Sequence, residues 1–209
     1  MVRHRVRIRF CKQGDLRWIG HLDLMRCLER LFRRAGLPLA FSEGFHPKAR
    51  ISFPLPLALG IVGSQELVEV ELSEPLSASE IRRRLEPHCL PGLCFTAVDA
   101  LPSGAGKARP RSVEYRIAVP PALQPGVSQR IAALLSSQRC PVARPGRAGQ
   151  LDIRPHLIAL ELAGGQLRMR LGVGAGTNVG PRDVLSALGL ELEQLRRHGA
   201  VLERTAVEL

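Results

Sequence analysis

The stretch "HRVRIRF", residues 4–10, alternates strictly between basic and apolar side chains. A period of two is typical of a β-strand, because successive side chains point to opposite faces of a sheet. The apolar face is predicted to be buried and consists of Val6, Ile8 and Phe10. The opposite face is a row of arginines, called here the arginine row: Arg3, Arg5, Arg7 and Arg9. The stretch therefore predicts a strand with one hydrophobic face and one strongly basic face.

The residues after this strand predict a helix, two strands, a second helix and a third further strand. In "HLDLMRCLERLFRRA", residues 21–35, Leu24, Leu28 and Leu31 recur at helical spacing, and Gly36 is a suitable helix terminator. The further predicted elements are a strand near 49–54, a strand over 65–72, a helix over 77–87 and a strand over 93–101. The resulting order is β-α-β-β-α-β.

The second half of the chain repeats this order more loosely, after a linker rich in Gly and Pro at 102–112. Its predicted elements are a strand over 113–119, a helix over 127–137, a short strand over 140–144, a hairpin over 157–173, a helix over 180–189 and a closing strand over 200–209. We therefore predict an α+β protein of two tandem ferredoxin-like (βαββαβ) units with antiparallel sheets, at 1–101 and 113–209.

A ferredoxin-like sheet carries its helices on one face, so the arginine row is expected on the open face. Three arginines of the second unit are expected on the corresponding face there: Arg116, Arg168 and Arg170. Such rows suit a phosphate backbone. A competing interpretation is that the first strand pairs with the third, whose outward Glu69 and Glu71 form cross-strand ion pairs with the arginines.

The charge balance points to a polyanionic partner. Thirty Lys and Arg against nineteen Asp and Glu give a net charge of +11, and the isoelectric point is near 10.8. The arginine guanidinium binds phosphate through two parallel hydrogen bonds, so RNA is the expected partner. A GC-rich genome explains the preference for Arg over Lys, but it does not explain the excess of positive charge.

The cysteines and the hydropathy pattern predict a cytoplasmic protein. Five cysteines form an odd set without paired spacing, so reduced thiols are expected. The sequence opens without a signal peptide pattern, and no apolar run approaches the ~18–20 residues of a membrane span. We expect no membrane partner.

The first helix carries a polar stripe besides its leucines. Asp23, Arg26, Arg30 and Arg33 fall on one face, which is a candidate phosphate site around one carboxylate. The alternative is a solvated helix face with ordinary ion pairs. The stretch "FSEGFHPKARISFPLPLALG", residues 41–60, mixes charged, aromatic, Gly and Pro residues and is predicted to be a binding loop.

At these residues the sequence resembles a family of small bacterial proteins linked to radical-SAM enzymes, a domain of unknown function. The motif residues that carry the resemblance are Arg7, Phe10, Lys12, Gly14, Gly20, His21, Leu22, Asp23, Arg33, Arg34, Ser42, Gly44, Phe45, His46, Pro47, Gly60, Ser64 and Glu66. Gly20 stands where the family commonly has serine, and Ser64 is one place later than in the pattern. The second half matches more weakly.

The resemblance implies a radical-SAM protein as partner, and that partner would carry the iron–sulfur cluster and S-adenosylmethionine. This chain lacks the C-x3-C-x2-C spacing of such a cluster, so we expect no cofactor of its own. Scattered histidines and cysteines predict no metal site. A glycine-rich stretch, 172–183, is a weak candidate for an anion cradle, against the simpler interpretation of a flexible loop.

Three hypotheses follow from these observations. In the first, the chain is an accessory module that binds structured RNA, tRNA or rRNA, for a radical-SAM enzyme and has no catalytic activity alone. The predicted anion-contacting residues are Arg5, Arg7, Arg9, Lys12, Arg26, Arg30, Lys48 and Arg50, with His21, Asp23 and His46 lining a pocket beside them. In the second, the chain is an RNA-modifying enzyme of pseudouridine-synthase-like architecture with Asp23 as the catalytic residue, a fold-level analogy. In the third, it is a structural subunit that docks on an acidic protein.

Overall fold

The structure is a computed structural model, and it describes residues 4–146, 149–174 and 179–209. The chain divides into two compact units, Met1–Arg109 and Pro110–Leu209. Both are mixed α+β structures whose described strand pairs are antiparallel, which confirms the predicted α+β class.

The first unit is a four-stranded sheet with two main helices. Its elements are β1 (His4–Lys12), α1 (His21–Arg34), β2 (Ile51–Ser52), β3 (Val62–Leu72), α2 (Ala78–Leu85) and β4 (Leu93–Ala100). The strands lie in the order β4-β1-β3-β2. Short 3-10 turns precede α1, at Gly14–Trp18, and follow α2, at Glu86–His88.

Local chemistry sets the helix ends. Ser77 caps α2, because its Oγ accepts a hydrogen bond from the amide of Glu80 at 3.2 Å. Gly36 follows α1 with a φ of 66°, a left-handed conformation that glycine adopts without steric cost. The strand expected near 49–54 is reduced to the two residues of β2.

The hydrophobic face of β1 packs against the helices. Val6, Ile8 and Phe10 are at most 1% exposed and belong to one core with residues of α1 and α2. The helix residues of that core include Leu24, Leu28, Leu31, Phe32, Ile81 and Leu85. The outward residues of β1 therefore lie on the side of the sheet away from the helices, as the alternation predicts.

The second unit has the same strand order with more elements. They are β5 (Ser112–Ala118), α3 (Val127–Ser136), β6 (Pro141–Ala143), β7 (Gln150–Asp152), β8 (Leu157–Ala163), β9 (Gln166–Gly172), α4 (Pro181–Ala187), α5 (Leu192–Arg197) and β10 (Glu203–Glu208). The main sheet has the order β10-β5-β9-β8, and β6 pairs separately with β7. Neither β7 nor α5 was predicted.

One expectation about the cysteines is wrong. Cys11 on β1 and Cys94 on β4 are partners in the strand register, and their sulfurs form a disulfide. The cysteine count alone does not reveal that two residues far apart in sequence face each other across a strand pair. Cys27, Cys89 and Cys140 are free thiols, as expected.

Candidate functional site: a cationic cavity beside the first helix

The arginine row is engaged in ion pairs within the first unit. The Arg5 guanidinium lies 3.0 Å from a Glu71 oxygen, and that of Arg7 lies 2.9 Å from a Glu69 oxygen. Arg5 also donates a hydrogen bond to the carbonyl of Ala105 at 2.8 Å, and the Glu69 carboxylate accepts one from the amide of Ala108. The competing interpretation, cross-strand ion pairing, therefore describes Arg5 and Arg7.

The remaining cations of β1, Arg9 and Lys12, are buried to different degrees. Lys12 is only 1% exposed and donates to the carbonyl of Ile19 at 2.9 Å. Arg9 is half-buried and lies between Leu67 on β3 and Ala97 on β4. Residue 3 lies outside the described part of the chain. Lys12 is thus part of the core region at the end of β1 and not an accessible anion contact.

The outward arginines of the second unit are likewise paired with carboxylates. Arg116 lies 2.6 Å from Glu203, and Arg168 lies 3.5 Å from Glu161. Arg170 pairs with Glu208. These contacts lower the capacity of the second sheet for a polyanion, because each guanidinium already has an anionic neighbour.

Two arginines without a carboxylate at ion-pair distance in the described chain, Arg30 and Arg34, lie together on α1. A cavity of about 550 Å³ lies between the outward face of α1 and the 3-10 turn that follows α2. We call it the cationic cavity, and its chemically active lining residues are Asp23, Arg26, Cys27, Arg30, Arg34, His88 and Cys89. Its volume is in the range of small-molecule sites.

The cationic cavity holds three guanidinium groups against one carboxylate. Arg26 lies 3.4 Å from Asp23, and both side chains are exposed. Within the described residues, neither Arg30 nor Arg34 has a carboxylate at ion-pair distance. Arg33, predicted on the same stripe, pairs instead with Glu29 at 3.0 Å. The cavity therefore has unneutralised positive charge for an incoming anion.

A thiol lies within this positive field. Burial raises the pKa of the Cys27 thiol, while the positive charges of Arg30 and Arg34 act in the opposite direction. Cys89, on the facing wall, is exposed. The cavity thus places two free thiols of different accessibility beside its arginines.

The two predicted site histidines lie elsewhere. The ring of His21 packs edge-on against Phe53, with 5.0 Å between ring centroids. His46 is exposed on the loop after α1. Among the described residues that line the cationic cavity, neither His21 nor His46 occurs. The structure therefore groups Asp23 with Arg26 and Arg30 but not with these histidines.

The two basic residues of the predicted binding loop differ in their surroundings. Arg50 lies 3.8 Å from a Glu71 oxygen and donates to the carbonyl of Phe41 at 3.3 Å. Lys48 is exposed, and in the described chain its ammonium contacts no carboxylate. Lys48 is the more accessible of the two to an anion.

Sequence reasoning missed four members of the cavity: Cys27, Arg34, His88 and Cys89. Arg34 was detectable, since it continues the i, i+4 spacing of Arg26 and Arg30. His88 and Cys89 come from a turn more than fifty residues further on, and only the packing of α2 brings them opposite α1.

Other candidate sites have little support. The described residues contain no group of three or more His, Cys, Asp or Glu side chains able to hold a metal ion. In the glycine-rich stretch, residues 175–178 lie outside the described chain. The amide of Gly180 donates to the Asp183 carboxylate at 2.7 Å, which already supplies an anion there.

In the ranges that the structure describes, none of the helices combines the length and the apolar character needed to cross a bilayer.

The fold and the cavity define an α+β protein with a small cationic site on its first unit. A family model described as "Uncharacterized protein conserved in bacteria (DUF2344)" matches residues 5–181, and the chain belongs to this family. No curated protein matches the sequence.

A solved structure gives a weak similarity. It is described as "Crystal Structure of an Unknown Protein from Galdieria sulphuraria" and is 11% identical to this chain. The alignment covers 99% of this chain and 98% of that one, with a TM-score of 0.28.

Proposed function

We propose that the chain is an accessory subunit that binds structured RNA, and that the cationic cavity is its main anion contact. The observation that carries the proposal is the exposure of Arg30 and Arg34 without a carboxylate partner in the described chain. Guanidinium groups in this state are free to form two parallel hydrogen bonds to a phosphate. The net charge of +11 supports an extended polyanion over a small neutral ligand.

This proposal moves the predicted contact surface from β1 to α1. Arg26 and Arg30 keep the role predicted for them, and Arg34 joins them. Lys48 is the further predicted contact that remains accessible. Arg5 and Arg7 have a structural role in the proposal, since Glu71 and Glu69 already neutralise them.

We further infer that both units are ferredoxin-like. The strand orders β4-β1-β3-β2 and β10-β5-β9-β8 support this inference, because each corresponds to the order expected of a βαββαβ unit with antiparallel strands. The helices α1 and α2 of the first unit contribute to one core with β1 and β3.

The proposed enzyme partner is a radical-SAM protein, on the resemblance of the motif residues between Arg7 and Glu66. In this proposal the partner carries the cluster and the S-adenosylmethionine, and this chain positions the RNA. The proposal assigns no chemistry to Asp23, whose exposed carboxylate lies beside Arg26 and orients it.

The test is titration of the purified chain with unfractionated tRNA over a series of salt concentrations. We expect the logarithm of the binding constant to fall linearly with the logarithm of salt concentration, because each phosphate contact releases counterions. Binding that is insensitive to salt, or absent, would contradict the proposal. Tight salt-insensitive binding to an acidic protein would instead support the docking-subunit hypothesis.

The Asp23→Asn variant separates binding from catalysis by this chain. The proposal predicts equal or stronger tRNA binding, because the substitution removes the only carboxylate among the described residues of the cavity lining. Loss of an RNA-modifying activity with binding retained would favour the enzyme hypothesis.

A further inference from the structure

The loop between α1 and β2 holds an aromatic ring entirely in solvent. Phe45 is 102% exposed, the highest value among the exposed large hydrophobic residues of the described chain. It lies at the tip of the loop, next to Gly44, whose φ of 116° is a conformation that residues with side chains rarely adopt. The cationic cavity does not include this loop.

The backbone on either side of the ring is fixed to the sheet. The Ser42 amide donates to the carbonyl of Lys48 at 2.8 Å, and the Lys48 amide donates back to the Ser42 Oγ at 2.9 Å. Below them, Ala40 and Arg50 are hydrogen-bonded to each other and to the backbone of Glu71 on β3. These hydrogen bonds fix the base of the loop to the sheet, and the ring at the tip remains in solvent.

The surroundings of the ring favour a nucleic acid over a protein pocket. Glu43, His46 and Lys48 are exposed beside it, and the exposed apolar residues of the same loop are Pro47 and, at its base, Phe41 at 38%, so polar groups surround most of the ring. Protein-binding patches are larger and contiguous. A nucleobase needs only one aromatic face, and a nearby ammonium suits the phosphate that follows it.

We propose that Phe45 stacks on an unpaired nucleobase of the bound RNA, with Lys48 beside the adjoining phosphate. This inference rests on the proposed function and specifies its substrate class: RNA with a single-stranded or looped segment. The cationic cavity contributes charge without regard to base pairing, and the Phe45 tip supplies the preference for unpaired bases.

The experiment compares two probes, an oligoadenylate and a fully paired RNA duplex of the same length. The Phe45→Ala variant is expected to bind the oligoadenylate about 10-fold more weakly and the duplex with unchanged affinity, since stacking requires an exposed base face. Phe45→Trp is expected to bind the oligoadenylate at least as well as the wild type. Phe45→Leu, which keeps an apolar side chain without the ring, is expected to behave like Phe45→Ala.

The controls separate failure of this inference from failure of the proposed function. Ile158→Ala removes an exposed apolar side chain of the second unit and is expected to leave both affinities unchanged. Wild-type affinity for the oligoadenylate in Phe45→Ala, together with salt-dependent binding, would overturn the stacking contact and leave the cavity proposal standing. If Phe45→Leu binds the oligoadenylate like the wild type, the contact does not need an aromatic ring and the stacking inference is wrong. Absence of RNA binding by the wild type would overturn both proposals.

Discussion

Arg7 and Glu69 face each other across β1 and β3, and the Arg7 guanidinium donates two hydrogen bonds to one Glu69 oxygen, at 3.1 and 2.9 Å. Glu69 is only 3% exposed, so this pair is partly withdrawn from water. This ion pair gives Arg7 of the arginine row a structural role. What the alternating sequence presents as a candidate phosphate surface is, at this position, a cross-strand contact that helps to fix the register of the sheet.

Glu69→Ala is expected to destabilise the chain. The substitution leaves the Arg7 charge without its partner and also removes the acceptor of the Ala108 amide. Removing the acceptor of these partly buried hydrogen bonds costs about 1–3 kcal/mol, and urea denaturation measures the change in the free energy of unfolding.

The matched control is Glu161→Ala, whose pair with Arg168 has both side chains more than half exposed. We expect a change within about 0.5 kcal/mol there. Equal effects of the two substitutions would show that the Arg7–Glu69 contact has no special structural role.

The free thiols of the cationic cavity report on ligand binding. Cys89 is exposed and Cys27 is half-buried with a raised pKa, so Cys89 is expected to react faster with iodoacetamide. With tRNA at ten times its dissociation constant, the rate at Cys89 is expected to fall about 10-fold, because the unbound fraction falls by that factor. Peptide mass spectrometry measures each rate.

Cys140 in the second unit is the internal control for this experiment, because it is a free thiol outside the cationic cavity. Its rate is expected to stay constant on addition of tRNA. Equal protection of Cys140 and Cys89, or protection of neither, would argue against RNA in the cavity.

Glu80 provides a prediction about pH. Hydrogen bonds from Arg83 and then Arg84 lower the pKa of the Glu80 carboxyl from 4.5 to about 2. Because the pKa is lower in the folded chain, the contribution of this carboxylate to stability is present above pH 4.5 and is lost as the pH falls toward 2. An NMR titration of the Glu80 carboxyl carbon measures the pKa directly.

The Arg83→Ala variant tests the cause. It removes the largest of the interactions that lower the pKa, so the midpoint of the Glu80 titration should move upward, toward the ordinary value. A wild-type midpoint near 4.5 would contradict the geometry of this ion-pair cluster.

Local sequence patterns were sufficient for much of the fold. The leucine spacing predicts α1 to within one residue, and the Ser77–Glu80 pattern locates the start of α2. Short elements were missed where local patterns are weak. The strand β7 has three residues and the helix α5 six, so each spans fewer than two periods of its pattern and the periodicity is too short to recognise.

The candidate site was predictable only on one side. Asp23, Arg26 and Arg30 share a helix face, so their proximity follows from the helical period. The opposite wall depends on where α2 packs. The alternation of β1 predicts the correct face for Arg7. Whether the Arg7 guanidinium binds a phosphate or pairs with Glu69 depends on the strand register, which local periodicity does not encode.

The most direct test of the account is the salt dependence of tRNA binding by the wild type and by the Arg30→Ala/Arg34→Ala double variant. The control is Arg83→Ala, an exposed arginine that is already paired with Glu80. The cavity proposal predicts that the double variant binds tRNA more weakly. The slope of log K against log salt is expected to be reduced by about 2, one for each lost phosphate contact. Arg83→Ala is expected to resemble the wild type. A double variant with the wild-type slope and affinity would contradict the account, because the phosphate contacts would then lie outside the cationic cavity.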